Sequence, residues 1–113
     1  MPGHRDDGYY SIDTGSMPWL PSKHPGTSYK TLRFDRDSGA GTILLRMDPG
    51  ASYPAHRHTG GEEVYVLSGD LRMGKEVHRA GAFVYSPPGS VHSPRTEEGC
   101  VLLVTFPERV EDL

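Results

Sequence analysis

Two histidines one residue apart, His56 and His58, precede a Thr59-Gly60-Gly61 segment, and Glu62 follows it at the head of an apolar run ending at Gly69. On an extended strand, residues i and i+2 face the same way, so both imidazoles share one face. Thr59-Gly60-Gly61 is turn chemistry, which carries the carboxylate onto the next strand. Imidazole and carboxylate are ligands that first-row divalent metals accept, so the three groups can converge on one ion. With no ion to hold, the same residues would form a polar rim beside a turn.

A second stretch, GAFVYSPPGSVH from Gly81 to His92, changes the weight of the first. Together the two resemble the paired signature motifs of the cupin superfamily. Gly50, His56, His58, Glu62 and Gly69 fill every position of the first motif, and Gly81, Pro87, Gly89 and His92 fill the second. Thr96 stands where that second motif expects Asn, a position that is not a ligand, so the departure bears on local packing. The resemblance implies a metal held by His56, His58, Glu62 and His92, and an all-β fold of the double-stranded β-helix, or jelly-roll barrel, type. Glu62, six residues before Gly69, matches the motif, whereas Glu63 leaves five. Alternation then puts Glu62 with Val64 and Val66, and Glu63 with Tyr65 on the other face.

Within the superfamily, the run PGASYPAHRHTGGEEVYVLSG, with Trp19 and Pro25-Gly26 upstream and Gly99-Cys100 downstream, is most similar to the cupin domain of ChrR-type anti-sigma factors. There, a separate N-terminal helical module with His and Cys zinc ligands holds the sigma factor. This chain has one cysteine and no helical period before the barrel, so sigma-factor inhibition is not carried over. Related single-domain cupins include dioxygenases that cleave diketones and other small oxygenated substrates.

Length and composition bound the rest. With 113 residues, the chain suits one domain with a core of its own. Hydrophobic content of 35% with 14 Gly and 10 Pro favours short strands and turns over long helices. A net charge of −3 gives no case for nucleic acid or an anionic membrane. The single Cys100 excludes an internal disulfide and a Cys-based zinc module. With no apolar span and no signal-like N-terminus, a cytoplasmic protein is expected.

Three segments position these groups. Residues 1–28 form an arm rich in Gly, Pro, Ser and Asp, with His4 and Asp6-Asp7 at a fraying end. In it, Trp19 and Leu20 between prolines either cover the chain's own barrel, the favoured reading, or form a lid or subunit contact. Residues 29–107 form the barrel, with about nine short strands. In Thr42 to Met47, Ile43, Leu45 and Met47 should face inward. Glu63 to Leu67 reads as a strand covered on both faces, and Ser68-Gly69-Asp70 as a hairpin turn. Residues 108–113 read as a surface tail.

Three neutral imidazoles and one carboxylate leave a divalent ion with a net charge of about +1. Iron, manganese, nickel or cobalt would keep two positions open for water, oxygen or substrate, whereas zinc can close a four-coordinate site. Met47, Val64, Val66, Phe83 and Tyr85 are candidate pocket walls, suited to a small, partly apolar organic ligand. Cys100 is expected to be a buried small side chain, His24 a solvated loop residue, and His78 a surface residue outside the site. The expected assembly is a homodimer. Two functions follow: a metal-binding module for a small molecule, or an iron(II)-dependent dioxygenase acting on a diketone-like substrate. Acid should compete with metal for the imidazoles between about pH 6 and 5.

Overall fold

Short apolar stretches punctuated by glycine turns fold into strands, and among the described residues helix is confined to a 3-10 turn at Thr14–Ser16. The computed structural model describes residues 8–108 in full, together with the backbone of residues 3–6 and 110–112. The strands are β1 (Gly3–Asp6), β2 (Tyr9–Ile12), β3 (Leu20–Pro21), β4 (Thr27–Phe34), β5 (Gly41–Met47) and β6 (His56–His58). They continue with β7 (Glu62–Met73), β8 (Glu76–Arg79), β9 (Phe83–Ser86), β10 (Ser90–His92), β11 (Cys100–Phe106) and β12 (Val110–Asp112). A large antiparallel sheet runs β3-β4-β5-β11-β7-β8, with β9 also paired to β7. A small sheet runs β10-β6-β12, and β1 and β2 form a hairpin. No helix among the described residues is long and apolar enough to cross a membrane.

The inward face of the large sheet is set by alternation. Met47 from β5, Val64 and Val66 from β7, and Leu102 and Val104 from β11 are buried together. Strand β7 changes parity halfway. Its pairing with β11 shifts register between Val101 and Leu102, so that Leu102 faces Val66 and Val101 faces Ser68. The extra residue is a β-bulge. It moves the inward set from Glu62, Val64 and Val66 to Leu71 and Met73, and puts Asp70 in a buried position on the opposite side.

The segment Ser68-Gly69-Asp70, expected to be a hairpin turn, instead runs on inside one continuous strand, directly after this bulge. Gly69 has φ +77°, and a Cβ there would collide with the Gly99 carbonyl oxygen. Only glycine combines that backbone with that approach.

Asp70 explains why Thr96 can stand where the motif expects Asn. Its carboxylate accepts hydrogen bonds from Arg72 Nε at 2.6 Å and Thr96 Oγ1 at 2.9 Å. It also accepts from the backbone N–H groups of Glu97 at 3.1 Å and Glu98 at 2.8 Å. Thr96 Oγ1 in turn accepts from Gly99 N at 2.9 Å. The segment joining β10 to β11 is thus tied to β7 through a buried carboxylate. Burial alone would raise the Asp70 pKa, but these four donors outweigh it and hold the carboxyl well below its usual range.

Several sequence expectations need correction. Tyr65 is 42% and Leu67 45% exposed, so β7 is not covered on both faces. The register places Leu44, Leu103, Tyr65 and Phe83 side by side across β5, β11, β7 and β9 on the outer face. Residues 3–6, taken for a fraying end, pair with Tyr9–Ile12. Within the expected surface tail, the backbone of Val110–Asp112 pairs with β6 as β12. The arm lies on its own barrel: the Trp19 ring has Lys30 Nζ at 4.5 Å and the Arg46 guanidinium carbon at 4.6 Å.

Candidate metal centre

Three-residue strand β6 presents His56 and His58 to the interior and the intervening Arg57 to solvent, as alternation requires. Antiparallel pairing with β10 then sets His92 directly across from His56. Residues facing each other in such a pair point to the same side, so all three imidazoles share one wall. The His58 carbonyl accepts from Gly61 N at 3.2 Å and Gly89 N at 2.8 Å, which pins the strand end to both neighbouring turns. Gly61, at φ +87°, turns the chain so that Glu62 begins β7 opposite Ser86 of β9. A Cβ on Gly61 would come within 2.9 Å of the Ser86 carbonyl oxygen.

His56, His58 and Glu62 each offer a ligand atom within 4.8 Å of the other two. Donors sharing an ion at about 2.1 Å stand about 3–4 Å apart, so a small inward movement would complete the site. His56 Nδ1 lies 3.0 Å from the Pro54 carbonyl, which can only accept; Nδ1 therefore carries the proton and Nε2 keeps its lone pair. His58 Nε2 sits 3.3 Å from Glu62 Oε1. His92 stands outside the three-residue cluster, its ring centroid 5.8 Å from that of His58.

Burial sets the electrostatics of these side chains. Burial pushes the Glu62 carboxyl up from 4.5 to about 8, so it holds its proton at neutral pH. Burial, with His56 and His92 nearby, pulls His58 down from 6.5 to about 4. Burial and then His56 lower His92 as well. His58 Nδ1 and His92 Nε2 are buried with no hydrogen-bond partner, an unfavourable state for polar atoms. Uncharged imidazoles, an unpaired buried nitrogen on His92 and a carboxyl starved of positive charge all fit a divalent ion.

To the acid competition expected from the histidines, Glu62 adds a proton of its own that a cation must displace at neutral pH.

The three imidazoles and Glu62 occupy one end of a cavity of about 260 Å³. The rest of its wall is apolar, built from Ile43, Leu45, Val64, Leu71, Leu102 and Val104 among others, with Tyr53 and Ser86 as further polar groups. Of the walls expected from sequence, only Val64 lines it. Met47 and Val66 are buried in the core below, while Phe83 and Tyr85 are 61% and 57% exposed. The register is the reason: Val84 and Ser86 face Val64 and Glu62, which sends the two aromatics outward.

His24, expected to be solvated, packs edge-on against Tyr53 at 4.4 Å, with its Nε2 buried and unpartnered. Tyr53 in turn packs against His56 at 5.3 Å. A lone His-Pro-Gly carried no sign of that contact. His78 lies on β8 away from the cavity, near Glu76 at 3.9 Å. Cys100 is buried, and burial pushes its thiol up to about 11, which leaves it unreactive.

Comparison with known proteins gives the same fold. An RmlC-like cupin from Ralstonia eutropha JMP134 superposes with a TM-score of 0.76 at 26% identity, covering 85% of this chain and 66% of the other. The complex of SigE with the anti-sigma ChrR from Rhodobacter sphaeroides matches at TM-score 0.70 and 24% identity, over 84% of this chain and 51% of the matched one. An acetylacetone dioxygenase from Acinetobacter johnsonii matches at TM-score 0.73 and 17% identity, over 91% and 75%. The chain thus spans a little under two thirds of the length of the Ralstonia cupin and about half of the ChrR-complex chain. No curated protein matches its sequence. Residues 8–108 match the ChrR cupin-like domain, and the chain belongs to that family.

Proposed function

We propose that the protein binds one divalent transition metal (Fe, Zn, Mn or Ni) through His56, His58 and Glu62, with His92 as fourth ligand, and takes a small organic molecule against it. The observation that carries this is three ligand atoms within 4.8 Å of one another at the polar end of an otherwise apolar cavity. The ion would supply a Lewis acid with room for an oxygen ligand of the guest. The protein's own groups do the rest. Pro54 orients His56, the apolar walls exclude water, and Ser86 places a hydroxyl beside Glu62.

Protein purified without added metal should carry one ion per chain, and the His56→Ala/His58→Ala double variant should carry none. At free metal about 100 times its Kd, binding adds about 2.7 kcal/mol, so chelation should lower Tm by about 10 °C without unfolding the apolar barrel at room temperature. His92→Ala should lose most of that increment and His78→Ala should keep it. Equal losses in the two would remove His92 from the site.

A second reading makes the protein an iron(II)-dependent dioxygenase of small diketone-like compounds. It is favoured by the cavity wall, which offers polar atoms almost solely at the ligand end. Oxygen consumption by the iron-loaded protein with 2,4-pentanedione separates it from a binding module.

A homodimer through the outer face of the large sheet completes the proposal. Tyr65, Leu67, Phe83 and Tyr85 are 42–61% exposed on β7 and β9. At typical side-chain areas they present about 400 Å² of largely apolar surface, about half of what one partner buries in a stable dimer. Phe83→Glu with Tyr65→Glu should shift the protein from dimer to monomer in sedimentation, with metal content unchanged. A monomeric wild type would dispose of the dimer.

A further inference from the structure

Beyond the metal cavity lies a second space, a groove of about 600 Å³. Its walls are Pro21, Ser22 and Lys23 from the arm, and Tyr29, Thr31 and Phe34 from β4. Ile43, Leu45, Tyr53 and Phe106 complete it, and these same four residues line the inner cavity. The two spaces therefore meet at four apolar or aromatic side chains. The groove is itself mostly apolar, with Phe34 55% exposed at its edge and Lys23 as the one charged side chain on its wall.

We infer that the groove is the outer half of the ligand site, and that the protein takes an elongated molecule. Its anionic chelating head would lie at the metal centre, and its apolar chain would run past Tyr53 and Phe106 into the groove. This rests on the proposed reading of the inner cavity as a metal and ligand site. An ion with three neutral imidazoles and one carboxylate keeps about one positive charge, and no Lys or Arg lines the inner cavity. A single anionic head is thus matched there, and a second charge on the guest would have no partner.

Size argues for the chain. A dry apolar cavity of about 150 Å³ accommodates benzene, so about 260 Å³ accommodates about ten non-hydrogen atoms. A longer guest continues where the apolar wall continues, which is the groove. Each methylene placed there leaves water for an apolar surface and should tighten binding by about two- to fourfold.

The test is a series of straight-chain alkyl hydroxamates, from acetohydroxamate to dodecanohydroxamate, titrated calorimetrically into the nickel-loaded protein, with metal content verified afterwards. The affinity should keep rising beyond heptanohydroxamate, whose ten non-hydrogen atoms are about what the inner cavity accommodates. Phe34→Asp, and separately Thr31→Asp, should weaken decanohydroxamate by tenfold or more and leave acetohydroxamate unchanged. Both positions are exposed, so either variant should fold. Affinity that levels off at heptanohydroxamate, or variants that bind long chains as the wild type does, would overturn the extended site while leaving the inner cavity's reading intact. A metal-loaded protein that does not bind even acetohydroxamate would overturn both.

Discussion

Metal-free protein carrying Glu62→Gln should be more stable than the wild type at pH 8 by about 4 kcal/mol, about 15 °C in Tm, while losing most of its metal affinity. The reasoning is linkage. Burial raises the folded-state pKa of Glu62 from 4.5 to about 8, so between those values the folded protein holds a proton that the unfolded chain has released. Stability then falls as pH rises through that window, and the full penalty is present above it. His58, lowered to about 4, works in the opposite sense. Unfolded histidine takes up a proton below about 6.5, so stability rises with pH between about 4 and 6.5. The two nearly cancel below pH 6.5, and the Glu62 loss stands alone from about 6.5 to 8. Glutamine removes it, and the variant's stability should be flat across that interval. The same proton must leave when a cation binds. Calorimetry near pH 7 in buffers of different ionisation enthalpy should report release of about one proton per metal. Zero release, or a Glu62→Gln variant less stable than wild type at pH 8, would refute the protonated carboxyl.

Asp70→Ala is expected to destabilise the fold by about 3–5 kcal/mol, or about 12–20 °C in Tm, without touching the metal centre. Asp70 is fully buried, and its removal strands the Thr96 hydroxyl, two backbone N–H groups and the Arg72 guanidinium. Asp70→Asn keeps the shape but turns an amide NH₂ toward donors, and should recover only part of the loss. The pH signature has the opposite sign to that of Glu62. A carboxyl held below its usual value contributes stability that is complete above about pH 4 and disappears as acid approaches the folded-state pKa. Wild type should therefore lose stability steeply below pH 4, and Asp70→Asn should not. A chemical-denaturation series over pH 2 to 6 checks both. Equal acid sensitivity in the two proteins would dismiss Asp70 as the buried tie.

The sequence carried the local chemistry well. His-x-His on one face and Ile43-Leu45-Met47 inward follow from a period of two, and the motif spacing that singled out Glu62 over Glu63 agrees with the inner face of β7. What it could not carry were the long-range registers. Phe83 and Tyr85 look like pocket walls because they are large and apolar, but the pairing of Glu62 with Ser86 turns them out. Ser68-Gly69-Asp70 has turn composition, but the chain runs on through it within β7, and the positive φ of Gly69 serves its close approach to Gly99. Asp70 and Thr96 lie 26 residues apart, so their union is visible only once β7 and the segment leading into β11 are side by side. Pairing of His24 with Tyr53 was hidden in the same way.

The histidines belong to the small sheet and Glu62 to the large one. An ion gripping both would be a rivet between two plates, with the Thr59-Gly60-Gly61 turn as hinge and coordinate bonds of about 2.1 Å fixing the gap at that end. Elsewhere the gap is set by packed side chains, which resist compression but part more readily than a coordinate bond stretches. With an ion bound, such an arrangement would act as a caliper. A guest too thick for the jaws would loosen the carboxylate's grip before bending either plate, so the ion's environment would register the width of what lies beside it.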